Sequence, residues 1–214
     1  MNKSNVVILG AGGHARVVID CLLSQGDAVP MAILTPEESL WEETLFDIPI
    51  VGGDDLLESL VQEGATHFVV GVGSVGDPSL RIHLFDLGLT NGLLPLTVVH
   101  PTAYCSPRAQ VEEGAQLLPA CVINAGAQIG KNVIVNSGAI VEHDCQIGAH
   151  AHIATGAHLS GGVIVEEGAH VGAGATVLQG RRIGRRAIVG AGALVNKDVK
   201  TNSTVVGNPA RPLN

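Results

Sequence analysis

The sequence contains very few aromatic residues: three Phe, one Tyr and one Trp make up 2% of a chain that is 46% hydrophobic. A globular core normally contains aromatic rings beside its aliphatic side chains. The interior of this protein must therefore be filled mainly by Val, Ile, Leu and Ala. The composition predicts a narrow, repetitive core.

The chain also lacks basic runs, long apolar segments and paired cysteine motifs. Its formal net charge is −8, and no basic run could follow a phosphate backbone, which argues against a nucleic-acid partner. No apolar stretch approaches the roughly 18 residues that span a bilayer, and residues 6–9 are too few for a signal peptide core. The four cysteines show no CxxC spacing. We therefore expect a cytoplasmic protein with reduced thiols and no membrane partner.

The C-terminal half contains a repeat of six residues. Every sixth residue from Val99 onward is Val, Ile or Leu, with Cys105 as the exception. Four places after these positions stand eleven Ala, two Cys and three Val, and Arg181 breaks the pattern. The repeated positions are Val99, Cys105, Val111, Leu117, Ile123, Ile129, Val135, Val141, Ile147, Ile153, Leu159, Val165, Val171, Val177, Ile183, Val189 and Val195.

A period of six fits neither an amphipathic helix nor an ordinary antiparallel sheet. It predicts a triangular solenoid in which three repeats form one coil, the aliphatic and small residues point inward, and polar residues turn the corners. Neighbouring coils would pair at about 4.8 Å. We expect this domain to span residues 96–214. A purely structural solenoid without chemistry is the alternative.

The repeat resembles that of the hexapeptide acyltransferases. This resemblance implies a left-handed parallel β-helix, acetyl-CoA as co-substrate and a homotrimer. Residues 206–211, Val-Gly-Asn-Pro-Ala-Arg, are similar to the segment that closes many of these helices near the coenzyme A site.

Residues 1–95 contain no such repeat. Strands near residues 5–9, 32–34 and 67–72 alternate with helices after residue 13 and near 54–62 and 79–87, which predicts a Rossmann-like α/β domain. The first predicted strand leads into Gly10-x-Gly12-x-x-Ala15, a pattern that lets a phosphate approach a helix N-terminus. An NAD site would need an acidic residue about 20 positions later. The chain has Thr35 and Pro36 in that stretch, so we expect a diphosphate cradle for a nucleotide-linked ligand; a tight turn without ligand is the alternative.

The two halves in combination resemble one subfamily closely. A Rossmann-like domain that opens with Gly-Ala-Gly-Gly-His, joined to a hexapeptide helix containing Glu-His-Asp-Cys at residues 142–145, is similar to bacterial N-acetyltransferases that modify nucleotide-linked 4-amino sugars. Those of the bacillosamine and perosamine pathways are examples, and the sialic acid O-acetyltransferases share the build. Thr35-Pro36 departs from the UDP-sugar members, which carry acidic residues there, and leaves the base and sugar open.

His143 is the candidate general base for acetyl transfer to an amine. It stands two places after the inward Val141, at a corner, and an imidazole titrates close to the working pH. Asp144 or Glu142 could orient the ring, and the resemblance favours Asp144. No Cys or Ser stands in an obvious nucleophile setting, and Cys145 occupies an inward position, so we expect direct attack without an acyl-enzyme.

Further residues are assigned by the resemblance alone. His152 would contact acetyl-CoA, and the backbone N–H of Gly161 would meet the oxyanion. The backbone at Ala173 and Ala191 would lie along the pantetheine arm. The sugar-nucleotide site would involve Gly12, Gly13, His14 and Asn136.

Other interpretations concern histidines and arginines. His152 and His170 are 18 residues apart, so they should stack on one face; a zinc enzyme of the carbonic anhydrase kind would need a His pair five residues apart, which the helix lacks. We therefore expect stacked, solvated histidines and no metal. The basic cluster Arg181, Arg182, Arg185 and Arg186 could bind coenzyme A phosphates, form trimer contacts or be a solvated face. Sugar O-acetylation and a non-catalytic sugar-nucleotide binding module are the alternative functions.

Overall fold

The computed structural model describes residues 4–213 and contains two regions, an α/β region followed by a β-helix. In the first region six strands form one sheet in the order β3-β4-β2-β1-β5-β6, parallel except for the β3–β4 pair. The strands are β1 Ser4–Leu9, β2 Ala28–Leu34, β3 Thr44–Leu45, β4 Ile48–Gly52, β5 His67–Val70 and β6 Leu94–Pro95. The helices are α1 Gly13–Gln25, α2 Leu57–Gln62 and α3 Ser79–Thr90, with 3₁₀ turns at Glu38–Leu40 and Asp54–Leu56.

The predicted strands and helices of this region are confirmed, whereas β3, β4 and β6 were not predicted. β3 and β6 have only two residues each and belong to no repeat, and in β4, Ile48–Gly52, Pro49 interrupts the apolar run. Helix α1 buries Val18, Ile19 and Leu22 against the sheet. Gly26 caps its C-terminus, because the left-handed backbone of this glycine lets its N–H reach the Leu22 carbonyl over 3.0 Å. Because β2 and β5 flank β1 on opposite sides, the carboxyl ends of β1 and β5 open a crevice at the switch in strand order.

The predicted repeat forms seventeen two-residue strands, and each repeated position is the second residue of its strand. The strands are β7 Val98–Val99, β8 Tyr104–Cys105, β9 Gln110–Val111, β10 Gln116–Leu117, β11 Val122–Ile123, β12 Gln128–Ile129, β13 Ile134–Val135, β14 Ile140–Val141, β15 Gln146–Ile147, β16 His152–Ile153, β17 His158–Leu159, β18 Ile164–Val165, β19 His170–Val171, β20 Thr176–Val177, β21 Arg182–Ile183, β22 Ile188–Val189 and β23 Leu194–Val195. Two closing strands follow, β24 Thr204–Val206 and β25 Arg211–Pro212.

These strands stack into three parallel faces of a prism. The first face contains β7, β10, β13, β16, β19, β22 and β24, with β25 antiparallel at its end. The second face contains β8, β11, β14, β17, β20 and β23, and the third contains β9, β12, β15, β18 and β21. The coils thus repeat every three strands, as the sequence predicts.

The interior of the prism is a continuous column of aliphatic and small side chains. Residues such as Leu117, Ile153 and Ala157 are almost inaccessible to solvent. Arg181, which falls on an inward position, leaves the column instead: its side chain is 39% exposed and lies 3.9 Å from Asp198. The strand register is kept around it, since β21 pairs with β18 at Ile164 and Arg182.

The three edges of the prism are defined by their turns. The His143 edge, between the second and third faces, carries turns 125–126, 143–144, 161–162 and 179–180. The Ala173 edge, between the first and second faces, carries turns 137–138, 155–156, 173–174 and 191–192. The Asn132 edge, between the third and first faces, carries turns 131–132, 149–150, 167–168 and 185–186.

The α/β region packs on the first face of the prism. Val98, Leu118 and Ile134 of the β-helix belong to the same buried cluster as Val18 and Leu22 of α1. At the other end, residues 204–212 form a short hairpin, and the Ala210 N–H donates to the Leu194 carbonyl over 2.8 Å. None of the helices within residues 4–213 is long and apolar enough to span a bilayer.

Candidate active site

His143 and Asp144 form a hydrogen-bonded pair at the turn between β14 and β15. The distance from His143 Nδ1 to Asp144 Oδ2 is 2.9 Å, and the two side chains are 58% and 74% exposed. Asp144 has a φ of +59°, a left-handed conformation that Asp and Asn tolerate better than most residues. Because a carboxylate only accepts hydrogen bonds, Nδ1 carries the proton in the neutral imidazole, and Nε2 is then available to accept another.

Glycines in the neighbouring coils make room for this pair. A methyl group at Gly161, in the next coil, would lie 2.5 Å from Nε2 of His143. One at Gly126, in the preceding coil, would lie 2.5 Å from Oδ1 of Asp144. Among residues 4–213 the N–H of Gly161 donates to no backbone carbonyl. This N–H is therefore not engaged by the backbone, and its residue adjoins Nε2 of His143.

Asp144, and not Glu142, holds the imidazole. The Glu142 carboxylate accepts instead from the backbone N–H of His143, at 3.3 Å. The hydrogen bond to Asp144 raises the pKa of His143 above its ordinary value of 6.5. Cys145, the next residue, is fully buried inside the coil, and burial raises the pKa of its thiol to about 11. Its surroundings are those of a packing residue rather than a nucleophile.

The predicted nucleotide residues lie in the crevice at the carboxyl end of β1. Gly12 and Gly13 are exposed, and a methyl group on either would have no heavy atom within 4 Å. Helix α1 starts at Gly13 with no side-chain cap and no acidic residue in its first turn. The N–H groups of this turn and the helix dipole therefore favour an anionic group.

His14 is fixed by a residue from the other region. Its Nε2 atom lies 2.8 Å from Oε1 of Gln116, whose Nε2 donates to the Val70 carbonyl, also at 2.8 Å. This arrangement requires a proton on Nε2 of His14 and leaves Nδ1 as an acceptor. Burial, and secondarily the charge of Arg81, lowers the pKa of His14 to about 4. His14 is thus a neutral, oriented imidazole at physiological pH.

A second group of predicted residues lines a cleft of about 450 Å³ where the α/β region meets the first face. His152, Asn136, Ala173 and Ala191 contribute to its wall from the β-helix. The loop after β5 contributes from the other side, through residues 75–76. The cleft therefore brings together three of the four residues that the resemblance assigns to acetyl-CoA.

Both ring nitrogens of His152 are engaged. Its Nδ1–H donates to the Ser74 carbonyl at 3.2 Å, and Nε2 accepts from Nδ2 of Asn136 at 3.1 Å. The orientation of the Asn136 amide follows because its Oδ1 already accepts the Ser137 N–H at 2.8 Å. Burial, with the neighbouring His170, lowers the pKa of His152 to about 3. The donor that remains free at this point is the second N–H of the Asn136 amide.

The expectation of solvated histidines is wrong. His152 and His170 stack as the period predicts, with ring centroids 5.0 Å apart, but they are only 4% and 8% exposed. They are buried because the loop after β5 covers this part of the first face, which a repeat pattern in the β-helix cannot reveal. Within residues 4–213 no group of three His, Cys, Asp or Glu side chains is arranged to hold a metal ion.

One chain does not bring all the predicted residues together. His143, Asp144 and Gly161 are on the His143 edge, whereas Ala173 and Ala191 are on the Ala173 edge. Gly161 in particular adjoins His143 and not His152. The second face, from β8 to β23, separates the two groups.

Most of the arginine cluster is engaged within the chain. Arg182 lies 2.6 Å from Glu166, and Arg185 lies 3.3 Å from Glu167. These pairs are at the surface, on the third face and the Asn132 edge, so each contributes little to stability. The geometry favours a solvated, self-paired face over a phosphate site for these two side chains.

Three residues of the site region were not predicted, two of which act through their side chains and Ser74 through its backbone carbonyl. Gln116, Ser74 and Arg81 contact His14, His152 and the loop after β5. Arg81 had a recognisable signal, because it lies three, four and seven residues before Leu84, Phe85 and Gly88, on the buried face of α3. Gln116 and Ser74 had none, since their partners are far away in the sequence.

Comparison with protein families identifies the class. The family model described as the PglD N-terminal domain matches residues 5–86. Models of the bacterial transferase hexapeptide match residues 126–161 and 144–179, and the hexapeptide repeat of succinyl-transferase matches residues 162–197. The prism and its repeat are thus those of the hexapeptide acyltransferases, and the β-helix is the left-handed parallel type. Among curated protein sequences none matches the chain.

Solved structures identify the family. The chain is 37% identical to PerB from Caulobacter crescentus, determined in complex with CoA and GDP-perosamine, with a TM-score of 0.91 over 99% of this chain and 98% of that one. It is 32% identical to the acetyltransferase domain of PglB from Neisseria gonorrhoeae, determined with acetyl coenzyme A, with a TM-score of 0.91 over 99% and 100%. WeeI from Acinetobacter baumannii is 28% identical, with a TM-score of 0.87 over 99% and 100%. The chain belongs to the nucleotide-sugar N-acetyltransferases of the hexapeptide superfamily, which are acetyl-CoA-dependent enzymes.

Proposed function

We propose that this enzyme acetylates the amino group of a nucleotide-linked 4-amino-4,6-dideoxy sugar by direct attack on acetyl-CoA. The observation that carries the proposal is the exposed His143–Asp144 pair, in which Nδ1 faces the carboxylate and Nε2 is left for the substrate. The sugar amine attacks the thioester carbonyl, and His143 takes the proton that the nitrogen loses. Collapse of the oxyanion breaks the C–S bond, and the protonated imidazole returns the proton to the coenzyme A thiolate.

The substrate class rests on the crevice and on the relatives. Gly12, Gly13 and the uncapped start of α1 suit a diphosphate, and His14 adds a neutral polar group beside it. PerB was determined with GDP-perosamine and CoA, and the PglB domain with acetyl coenzyme A. We assign residues 1–95 to nucleotide-sugar binding and 96–214 to acetyl transfer. The four free cysteines suit a cytoplasmic enzyme.

We further propose a homotrimer whose active sites lie between protomers. The second face carries the partly exposed Val122, Ile140 and Leu194, which a neighbouring copy would cover. Both edges of that face would then meet neighbours, so that the His143 edge of one protomer faces the Ala173 edge of the next. The base and Gly161 would come from one chain, and the cleft with His152 from another. This arrangement would unite the two groups of residues that one chain keeps apart.

An assay of acetyl-CoA consumption tests the reaction. UDP-, GDP- and dTDP-linked 4-amino sugars are compared with the corresponding 4-hydroxy sugars and with free sialic acid. We expect turnover only with nucleotide-linked amines, and acetamide formation in the product. Turnover with sialic acid alone would indicate O-acetylation, and the absence of turnover with binding of the nucleotide sugar would indicate a binding module.

Mixed trimers test the shared site. His143→Ala removes the base from the His143 edge that a protomer contributes to one site. Ala173→Trp blocks the cleft that a protomer contributes to another site. Each variant alone should therefore be inactive. When the two inactive chains are refolded together, part of the activity should return, because some interfaces then combine an intact His143 edge with an intact cleft. Mixtures as inactive as the separate variants would contradict a site shared between protomers.

A further inference from the structure

The loop formed by residues 71–76 touches both ligand sites. It reads Gly-Val-Gly-Ser-Val-Gly, a second G-x-G-x-x-G sequence, and connects β5 to the segment before α3. On one side a methyl group at Gly73 would lie 3.9 Å from the ring of His14. On the other side the Ser74 carbonyl accepts from His152, and Val75 and Gly76 line the cleft. The conformation of this loop therefore matters to both sites.

The buried side chain of Arg81 binds backbone carbonyls at the start of this loop and in the β-helix. Its Nη1 donates to the carbonyls of Val72 at 2.7 Å and Val70 at 3.2 Å, and its Nε donates to the Asn132 carbonyl of the β-helix at 3.2 Å. The side chain is only 1% exposed, and Nη2 has no hydrogen-bond partner among the described residues. No carboxylate in residues 4–213 pairs with it. Burial of this unpaired charge lowers its pKa to about 9.

The contacts of Arg81 fix groups that face the ligands. The Val70 carbonyl accepts from both Arg81 and the side chain of Gln116. Gln116 in turn orients the ring of His14. The Val72–Gly73 peptide is trans, so an N–H lies opposite the carbonyl that Arg81 binds. The Gly73 N–H thus points away from Arg81, and it donates to no backbone carbonyl among residues 4–213. A buried charge without a counter-ion is a costly way to stabilise a fold, which argues for a role in the site.

We propose that Arg81 is a positioning residue for the transfer reaction, because it holds the loop of residues 71–76 in the one conformation that serves both the nucleotide crevice and the coenzyme cleft. The inference rests on the proposed function. Arg81 touches neither substrate and acts through the carbonyls of Val70 and Val72. Its loss should therefore weaken the binding of both substrates and leave the chemistry at the His143 edge nearly intact.

Kinetics of Arg81→Met provide the test. We expect the KM for nucleotide sugar and the KM for acetyl-CoA each to rise about tenfold, the effect of losing hydrogen bonds from a charged group, while kcat changes much less. Arg81→Lys, which keeps the charge but reaches fewer carbonyls, should recover part of the loss. Leu60→Ala is the matched control, because it destabilises from α2 the buried cluster that contains Val70 and Leu84, and it should leave both KM values unchanged. A wild-type KM for either substrate in Arg81→Met would overturn the proposal.

Hydrogen exchange on the unaltered enzyme covers the case in which Arg81 variants do not fold. GDP, UDP and CoA are added separately, and exchange is followed in peptides that contain residues 71–76. We expect slower exchange with CoA alone and with at least one nucleoside diphosphate alone. Protection by only one of these ligand classes would refute a shared loop. An enzyme that binds neither class would refute the proposed function itself, so the two failures are distinguishable.

Discussion

Histidines have opposite surroundings at the His143 edge and at the seam, the contact between the α/β region and the first face that contains His14 and His152. At the edge, His143 is exposed and its hydrogen bond to Asp144 raises its pKa. At the seam, His14 and His152 are covered, and burial lowers their pKa values to about 4 and about 3. A general base must gain and lose a proton near the working pH, whereas a positioning imidazole must keep one tautomer. Solvent exposure and the choice of hydrogen-bond partner separate the two kinds of histidine, and the proposed function needs both.

Removing the edge histidine should have the largest effect on catalysis. We expect His143→Ala to lower kcat by about 10²–10⁴-fold, because the proton of the attacking amine then has no acceptor. Its unfolding free energy should change by less than about 0.5 kcal/mol, since the side chain is exposed. Thiol release from acetyl-CoA and equilibrium denaturation measure the two quantities. Wild-type turnover would remove His143 from the mechanism.

Displacing the imidazole without removing it should have the next largest effect. In Gly161→Ala the new methyl group would stand 2.5 Å from Nε2 of His143, so the ring must move. We expect kcat to fall about 10–100-fold, because small misplacements of a catalytic group are costly. Gln179→Ala, one coil further along the same edge, is the control and should keep its activity. An undiminished kcat in Gly161→Ala would show that the ring position is not critical.

Removing a seam histidine should affect stability as well as activity. His152→Ala leaves the Ser74 carbonyl and the Asn136 amide without a partner in a buried site, at a cost of about 1–3 kcal/mol in unfolding free energy. The KM for acetyl-CoA should rise at the same time. Urea denaturation compares this variant with His143→Ala. Equal stability of the two variants would contradict the distinction between edge and seam.

The smallest expected effect is a shift in pH dependence. The acidic limb of kcat/KM reports protonation of the base, so activity is lost as pH falls through the pKa of His143. Asp144 raises that pKa, and Asp144→Asn should therefore move the limb to lower pH while it also reduces the rate. The covered imidazoles of His14 and His152 stay neutral across this range and should add no further limb. A limb that does not move in Asp144→Asn would separate Asp144 from the base.

Much of the protein could be read from local patterns. The six-residue period predicted each of the seventeen strands from β7 to β23, because every coil buries the same two positions of its repeat. The spacing of Gly10 and Gly12 after the first strand predicted the turn into α1, and the spacing of His143 from Val141 predicted its corner position. Gly161 was expected with the coenzyme residues, yet the coil spacing of 18 residues sets it beside His143.

Other features depended on contacts between distant parts of the chain. His14 and Gln116 are 102 residues apart in sequence, and the Ser74 carbonyl and His152 are 78 apart, so no local pattern links them. The covering of His152 and His170 and the engagement of Arg81 with the loop follow from how the α/β region docks on the first face. The sequence by itself determined the prism, the crevice and the edge position of His143, since these depend on periodic burial and backbone freedom. Only the tertiary structure decided which histidines are buried, neutral and fixed, because desolvation and hydrogen bonding arise when the two regions meet.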